Sequence, residues 1–320
     1  WRRVQSGEID MPPSHQWAAR APMIFLLKNL VLWGLGLPLG IAALAGLDGD
    51  RLFVASNGSD TAAVRPAPWP DSPAVAFVSG AAPRRGIEER AFMAAIEDAR
   101  KTAEADLGVV LRWCFDIPGE AGLESAEETT RLATTDGIRP EGLVSFGLGG
   151  PEIGVPRPQF KPYFDRAIAA GLHSVPHAGE TTGPETVWDA LTHLRAERIG
   201  HGTSSAKDPK LLAHLAEHRV PLEVCPTSNI ATRAVTTLDE HPLKQFVDAG
   251  VVVTINSDDP PMFGTDLNNE YAVAARLLGL DERGIADLAK NGVEASFLDR
   301  AGKDRITAEI DAYTENWLAS

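Results

Sequence analysis

Four short motifs concentrate the reactive side chains of this sequence: HAGE at 177–180, IGHG at 199–202, CPTSN at 225–229 and NSDDP at 256–260. Each follows a short apolar run and ends in residues that bind metal ions or move protons. Imidazole and carboxylate are the natural ligands of a hard or borderline cation, and they are also the usual general acids and bases. Several such groups at the same end of successive strands is how a (β/α) barrel assembles an active site. The chemistry this pattern points to is metal-assisted hydrolysis.

Taken singly, each motif has a plainer reading. His177 closes an apolar strand behind Pro176, and the small Ala178 and Gly179 let a ligand approach the backbone before the carboxylate of Glu180. This makes His177 a candidate metal ligand and Glu180 a candidate general acid/base, although H-x-x-E alone is a weak signal. His201, held between Gly200 and Gly202, is poorly suited to core filling and well suited to exchanging a proton with a water. Asp258 and Asp259 end the run GVVVTINSDD, where alternation along a strand would send their carboxylates to opposite faces, one to a metal and one to a substrate. An N-cap or turn before Pro260-Pro261 is the alternative for the pair. Ser228-Asn229 reads as a turn. His173 precedes the strand end and reads as structural; His193, His214, His218 and His241 lie on helices or loops and read as non-catalytic.

The elements that must position these groups alternate. Strands are expected at 109–117, 143–150, 173–177, 198–202, 221–226 and 250–259. Helices are expected at 126–135, 159–170, 185–196, 209–218 and 242–249, with a largely helical tail over 268–318. Alternating strands and helices imply parallel β-α units, and continuously apolar strands suit a sheet covered on both sides. The fold class is therefore α/β, a (β/α)8 TIM-type barrel. Six strands are legible where a closed barrel needs eight, so the first two are expected to be missing or to fall within residues 1–84.

Residues 1–84 do not read as β-α units. They are polar and irregular up to Pro22, then apolar and free of charge from Asn29 to Leu47, then rich in Pro, Ala and Ser up to Pro83. The apolar run approaches the roughly 20 residues of a membrane span, but four glycines and Pro38 interrupt it. A buried helix is a second reading. The abrupt change of character at 81–85 favours a third, in which this segment is not the enzyme's native start. The expected division is an atypical segment 1–84 and a barrel domain 85–320.

Composition narrows the class. The 320 residues carry a net charge of −14, which would repel nucleic acid and anionic membranes, and 44% are hydrophobic, enough for a substantial core. The two cysteines, Cys114 and Cys225, lie in apolar strand-like runs without a C-x-x-C motif and read as buried reduced thiols. A cytoplasmic enzyme acting on a small molecule is the expectation.

In their order along the chain, HAGE, Gly-His-Gly, CPTSN and NSDDP resemble the adenosine deaminase family of the zinc-dependent amidohydrolase superfamily, from about Arg85 to the C-terminus. FGLGGPE at 146–152 is similar to that family's substrate loop. The resemblance implies one zinc ion per chain with His177 and Asp258 among its ligands. It also implies that Glu180 protonates purine N1, that His201 is base to the attacking water, that Asp259 holds the hydroxide or N7, and that the Gly150 amide meets N3. The implied reaction converts adenosine to inosine and ammonia. Other 6-aminopurines (adenine, 6-aminodeoxyfutalosine) are alternatives, as is a purine-binding chain without catalysis. The family also places an H-x-H pair of zinc ligands at its first strand, and none of the eight histidines here forms one. Two of the family's ligands are thus missing from this sequence, and weak zinc binding and impaired turnover are expected.

Overall fold

The computed structural model describes residues 89–107 and 110–319. Residues 1–84, including the apolar run 29–47, lie outside the described residues, as would any first two strands within them. An opening helix, α1 (Glu89–Leu107), leads into β1 (Trp113–Pro118), α2 (Gly122–Thr134) and β2 (Leu143–Gly149). A short 3-10 turn runs into α3 (Lys161–Ala169), then come β3 (His173–Ser174), β4 (His177–Ala178) and α4 (Pro184–His193). The chain continues through β5 (Ile199–His201), α5 (Pro209–Glu217), β6 (Leu222–Val224), α6 (Pro226–Ala231), α7 (Leu243–Asp248) and β7 (Val253–Ile255). It closes with α8 (Pro260–Phe263), α9 (Leu267–Leu278), α10 (Glu282–Ala295) and α11 (Arg300–Leu318).

All strand pairings are parallel, in the orders β1-β2-β3 and β4-β5-β6-β7. The stretch expected as one strand over 173–177 is two, because Pro176 has no N–H to give a ladder. That stretch nevertheless joins the sheets: the Val175 N–H donates back to the Phe146 carbonyl at 2.9 Å, while the Pro176 carbonyl accepts from the Gly200 N–H at 3.0 Å. Six passes of parallel strand therefore run side by side among the described residues, in the order of the chain. This is the (β/α) barrel arrangement, in agreement with the reading of the sequence.

Local chemistry explains most boundaries. The side chain of Asp208 caps α5, accepting from the N–H groups of Lys210 and Leu211, with Pro209 at the first helical position. Asp266, Asp281 and Asp299 cap α9, α10 and α11 in the same way. Each strand faces apolar cover. Trp113, Phe115, Phe146, Phe160 and Phe164 fill a core around β1–β3, with Phe146 and Phe164 edge-to-face at 5.2 Å. A second core, mainly of Leu, Ile, Val and Ala with Phe246, surrounds β4–β7. Cys225 is buried, Cys114 is half-buried, and both are free thiols. Among the described residues no helix is long and apolar enough to cross a membrane.

Candidate active site

The strand ends bring four of the anticipated side chains together. His177 opens β4 and His201 closes β5, and their rings lie 5.3 Å apart. The Nε2 of His201 faces two carboxylates, Glu180 Oε2 at 3.7 Å and Asp258 Oδ2 at 3.6 Å. Asp258 in turn accepts a 2.7 Å hydrogen bond from the Ser228 hydroxyl, which holds that carboxylate in place. His177 turns its Nδ1 to the Leu148 carbonyl at 3.1 Å, so a neutral ring keeps Nε2 free as an electron-pair donor. Glu180 Oε1 is buried without a hydrogen-bond partner among the described residues, an arrangement that costs free energy unless a bound group completes it.

Two backbone conformations in this cluster are strained. His201 has φ 60° and Asp258 φ 54°, in the left-handed region that non-glycine residues seldom occupy. Such strain collects where a side chain must be aimed against its local preference. It also corrects the strand-alternation argument for Asp258 and Asp259. The strand β7 ends at Ile255, and the left-handed turn at Asp258, not the pleat, sets where that carboxylate points. Asp259 occupies the position before α8, yet its side chain makes no capping hydrogen bond there. Ser228 and Asn229, read from sequence as a turn, sit inside α6, whose first turn begins at Pro226.

Gly150 lies just past the end of β2 with φ 83°, and a Cβ there would collide with the carboxylate of Glu120. The backbone angle is what favours glycine here, since the Glu120 side chain could swing aside. The next residues supply support to the histidine-bearing loop. Glu152 and Arg157 form a fully buried ion pair at 3.2 Å. The Glu152 carboxylate accepts from the backbone N–H groups of Gly179 at 2.7 Å and Thr181 at 2.6 Å, on either side of Glu180. Arg157 donates from Nη2 to the His177 carbonyl at 2.9 Å. Burial works against ionisation of Glu152, but Arg157 and the two N–H groups outweigh it and hold its carboxyl below the usual glutamate value.

Sequence reasoning missed several members of this neighbourhood. Asp116, in β1, lies 3.8 Å from His177 Nδ1. It lies inside the run WCFDIP, two residues before the end of β1, so only a carboxylate interrupting an apolar strand could have marked it. Burial pushes the Asp116 carboxyl up despite the nearby imidazole. Burial lowers the His177 imidazole, yet Asp116, Asp258, Glu180 and Glu223 prevail and raise it above the ordinary histidine value. Cys225 was legible only as an inert thiol. Its sulfur lies with a ring nitrogen of His201 and a carboxylate oxygen of Asp258 in a group of donors all within 4.8 Å of one another. Burial and the nearby carboxylates push that thiol well up, so it is protonated unless a cation displaces the proton.

The adenosine deaminase family model matches residues 72–313. The chain belongs to the adenosine deaminase family. An aminodeoxyfutalosine deaminase from Streptomyces avermitilis is 88% identical over 236 residues, covering 74% of this chain; the chain spans 66% of that relative's length. An adenosine deaminase from Klebsiella pneumoniae is 36% identical over 290 residues, covering 89% of this chain and 84% of the relative. Among solved structures, the adenine deaminase of Arthrobacter aurescens is 30% identical with a TM-score of 0.65, covering 73% of this chain and 71% of its own. In this chain His177, Glu180, His201 and Asp258 lie at or just past the ends of their strands.

Proposed function

We propose that the chain is a hydrolytic deaminase of a 6-aminopurine nucleoside and that aminodeoxyfutalosine, rather than adenosine, is its substrate. One observation carries the choice of substrate. Identity to an aminodeoxyfutalosine deaminase is 88%, against 36% to an adenosine deaminase. The sequence motifs alone favour adenosine, because they contain the shared chemistry and not the parts that select the sugar substituent. The barrel domain is assigned to 85–320.

The donor set suits zinc: imidazole nitrogen, carboxylate oxygen and a nearby thiol are its usual ligands. His177, through its free Nε2, and Asp258, steadied by Ser228, are the residues that would hold the ion. When bound it would bring the pKa of the attacking water to about 7. The remaining work falls to the protein. Glu180 gives its proton to purine N1, which drains charge from the ring as water adds at C6. The C6–N bond then breaks and ammonia leaves. Of the two protons of the water, one departs with the ammonia and the other restores Glu180. His201 contacts the attacking water, Asp259 holds the substrate at N7 or at the incoming oxygen, and the Gly150 N–H meets N3. The unpartnered Glu180 Oε1 supports this reading, because a purine N1 would satisfy it.

The test is ammonia release by the full chain with added zinc. kcat/KM for aminodeoxyfutalosine is expected to exceed that for adenosine by at least about tenfold, the factor given by one well-placed substrate contact. Preference for adenosine would overturn the substrate assignment. The competing reading is a purine-binding chain without catalysis. It is recognised by calorimetric binding of the nucleoside with no ammonia from any 6-aminopurine.

A further inference from the structure

Behind His201 lies a chain of buried hydrogen bonds. The Leu243 N–H meets Nδ1 of His241 at 3.1 Å. The Nε2 of His241 meets Asn229 Oδ1 at 3.2 Å, and Asn229 Nδ2 meets His201 Nδ1 at 3.0 Å. Asn229 is fully buried, and both histidines are almost so. An amide or imidazole orientation is ordinarily ambiguous, since oxygen, nitrogen and the two ring nitrogens look alike. Here one end is fixed, because a backbone N–H can only donate.

We infer that His241, acting through Asn229, is a positioning residue that fixes the proton of His201 on Nε2, so that His201 meets the attacking water as a hydrogen-bond donor and not as its base. The logic runs outward from Leu243. Its N–H takes the lone pair of His241 Nδ1, so the proton of the neutral His241 ring is on Nε2. That proton needs an acceptor, which is Asn229 Oδ1. The amide NH2 of Asn229 must then face His201, and Nδ1 of His201 must offer a lone pair. A neutral His201 therefore carries its proton on Nε2, the nitrogen that faces Glu180 and Asp258. Burial drives the His241 pKa down to about 4, which keeps that ring neutral at physiological pH. The left-handed backbone at His201, φ 60°, fits a ring held from behind against its local preference.

The role rests on the deaminase reading, but the tautomer does not, and the two are tested separately. Full-length chain labelled with 15N-histidine is measured at pH 7 by long-range proton–nitrogen correlation, with His201 assigned by its disappearance in His201→Gln. The expected pattern is a protonated Nε2 and a bare Nδ1. A protonated Nδ1 at His201 would overturn the inference without any variant being needed. Asn229→Asp replaces the donor by an acceptor and is expected to draw a proton onto Nδ1. His201 resonances that stay unchanged in that variant would also overturn it. In turnover, Asn229→Asp and His241→Leu are expected to lower kcat about 10–100-fold, as loss of a supporting hydrogen bond commonly does, with KM changed less than about threefold. His241→Gln, which can offer an amide donor to Asn229, is expected to recover most of the loss. Equal loss in His241→Gln and His241→Leu would mean that His241 only fills space. The expected spectrum with no ammonia release would leave the tautomer standing and overturn the deaminase reading instead.

Discussion

The two sheets divide the work unequally. The β4–β7 side carries the reactive groups at its strand ends: His177, Glu180, His201 and Asp258. The β1–β3 side carries few of them but holds the first side in position. Leu148 takes the Nδ1 of His177, Arg157 takes the His177 carbonyl, and Glu152 grips the loop on both sides of Glu180. The cores differ in emphasis, one with several buried aromatic rings around Trp113 and Phe146, the other mainly aliphatic around Leu222 and Val253 with Phe246 among them. What the contrast teaches is that a motif marks where chemistry is done, while the geometry it needs is set by residues elsewhere in the chain.

The sharpest way to test the division is to remove a reactive group and a supporting group separately. Glu180→Gln keeps the shape of the side chain and removes its proton. Deamination is expected to fall about 10²–10⁴-fold, the usual contribution of a positioned acid, with the melting temperature nearly unchanged. Ammonia release and thermal unfolding measured together check both halves of the statement. A variant with full activity would remove Glu180 from its role.

Arg157→Met should behave in the opposite manner. It strands Glu152 in the core, and breaking a buried pair from one side costs about 3–5 kcal/mol, read as a lower melting temperature. Activity is expected to fall only as far as the HAGE loop loosens. The pH dependence follows from Glu152. Its folded value lies below the unfolded one, so the stabilisation is fully present above the ordinary glutamate range and is lost as pH falls through the lower folded value. Glu152→Gln should flatten that acid limb of the stability curve. An unchanged limb would mean that other carboxylates set it.

A smaller effect is expected from Ser228→Ala, which leaves every candidate ligand in place and removes only the 2.7 Å hydrogen bond to Asp258. Zinc affinity, measured by competition with a chelating dye, should fall about 10–100-fold. Unchanged affinity would argue that Asp258 is held by its strained backbone alone.

The same contrast explains what was legible beforehand. The six strands were readable because each is a short apolar run, and the reactive residues because each follows one. Residues 110–112 precede β1 although they continue its apolar, β-prone character, so the sequence does not mark where the strand starts. The helix α1 went unread because ERAFMAAIEDARKTAEADL is rich in charge and alanine, with few large apolar side chains to mark its buried face. In the sequence Glu152 is only part of a loop motif, and His241 reads as non-catalytic. No local pattern reports a hydrogen bond to a residue 27 positions away, as from Gly179 to Glu152, or the tie from Asn229 to His241 through the fold. Asp116 is the exception, since a carboxylate inside the apolar run WCFDIP is itself a local signal.

The finest version of the comparison sets two histidines of one short stretch against each other. His173 belongs to the β1–β3 sheet and His177 to the β4–β7 sheet, four residues later. His177 turns to the reactive cluster. His173 stacks flat on Phe297, with centroids 3.7 Å apart and planes 3° apart, and its Nδ1 lies 2.9 Å from Glu197 on an open surface. Its contribution should therefore be the stacking alone, about 0.5–1.5 kcal/mol, because an exposed pair with a carboxylate adds little. His173→Gln is expected to shift the melting temperature slightly and leave kcat/KM within about twofold, where His177→Gln should abolish zinc binding; one zinc titration and one melting curve for each variant decide it. Should His173→Gln disturb the zinc titration as much as His177→Gln, the boundary between the sheets at Pro176 would not separate support from chemistry.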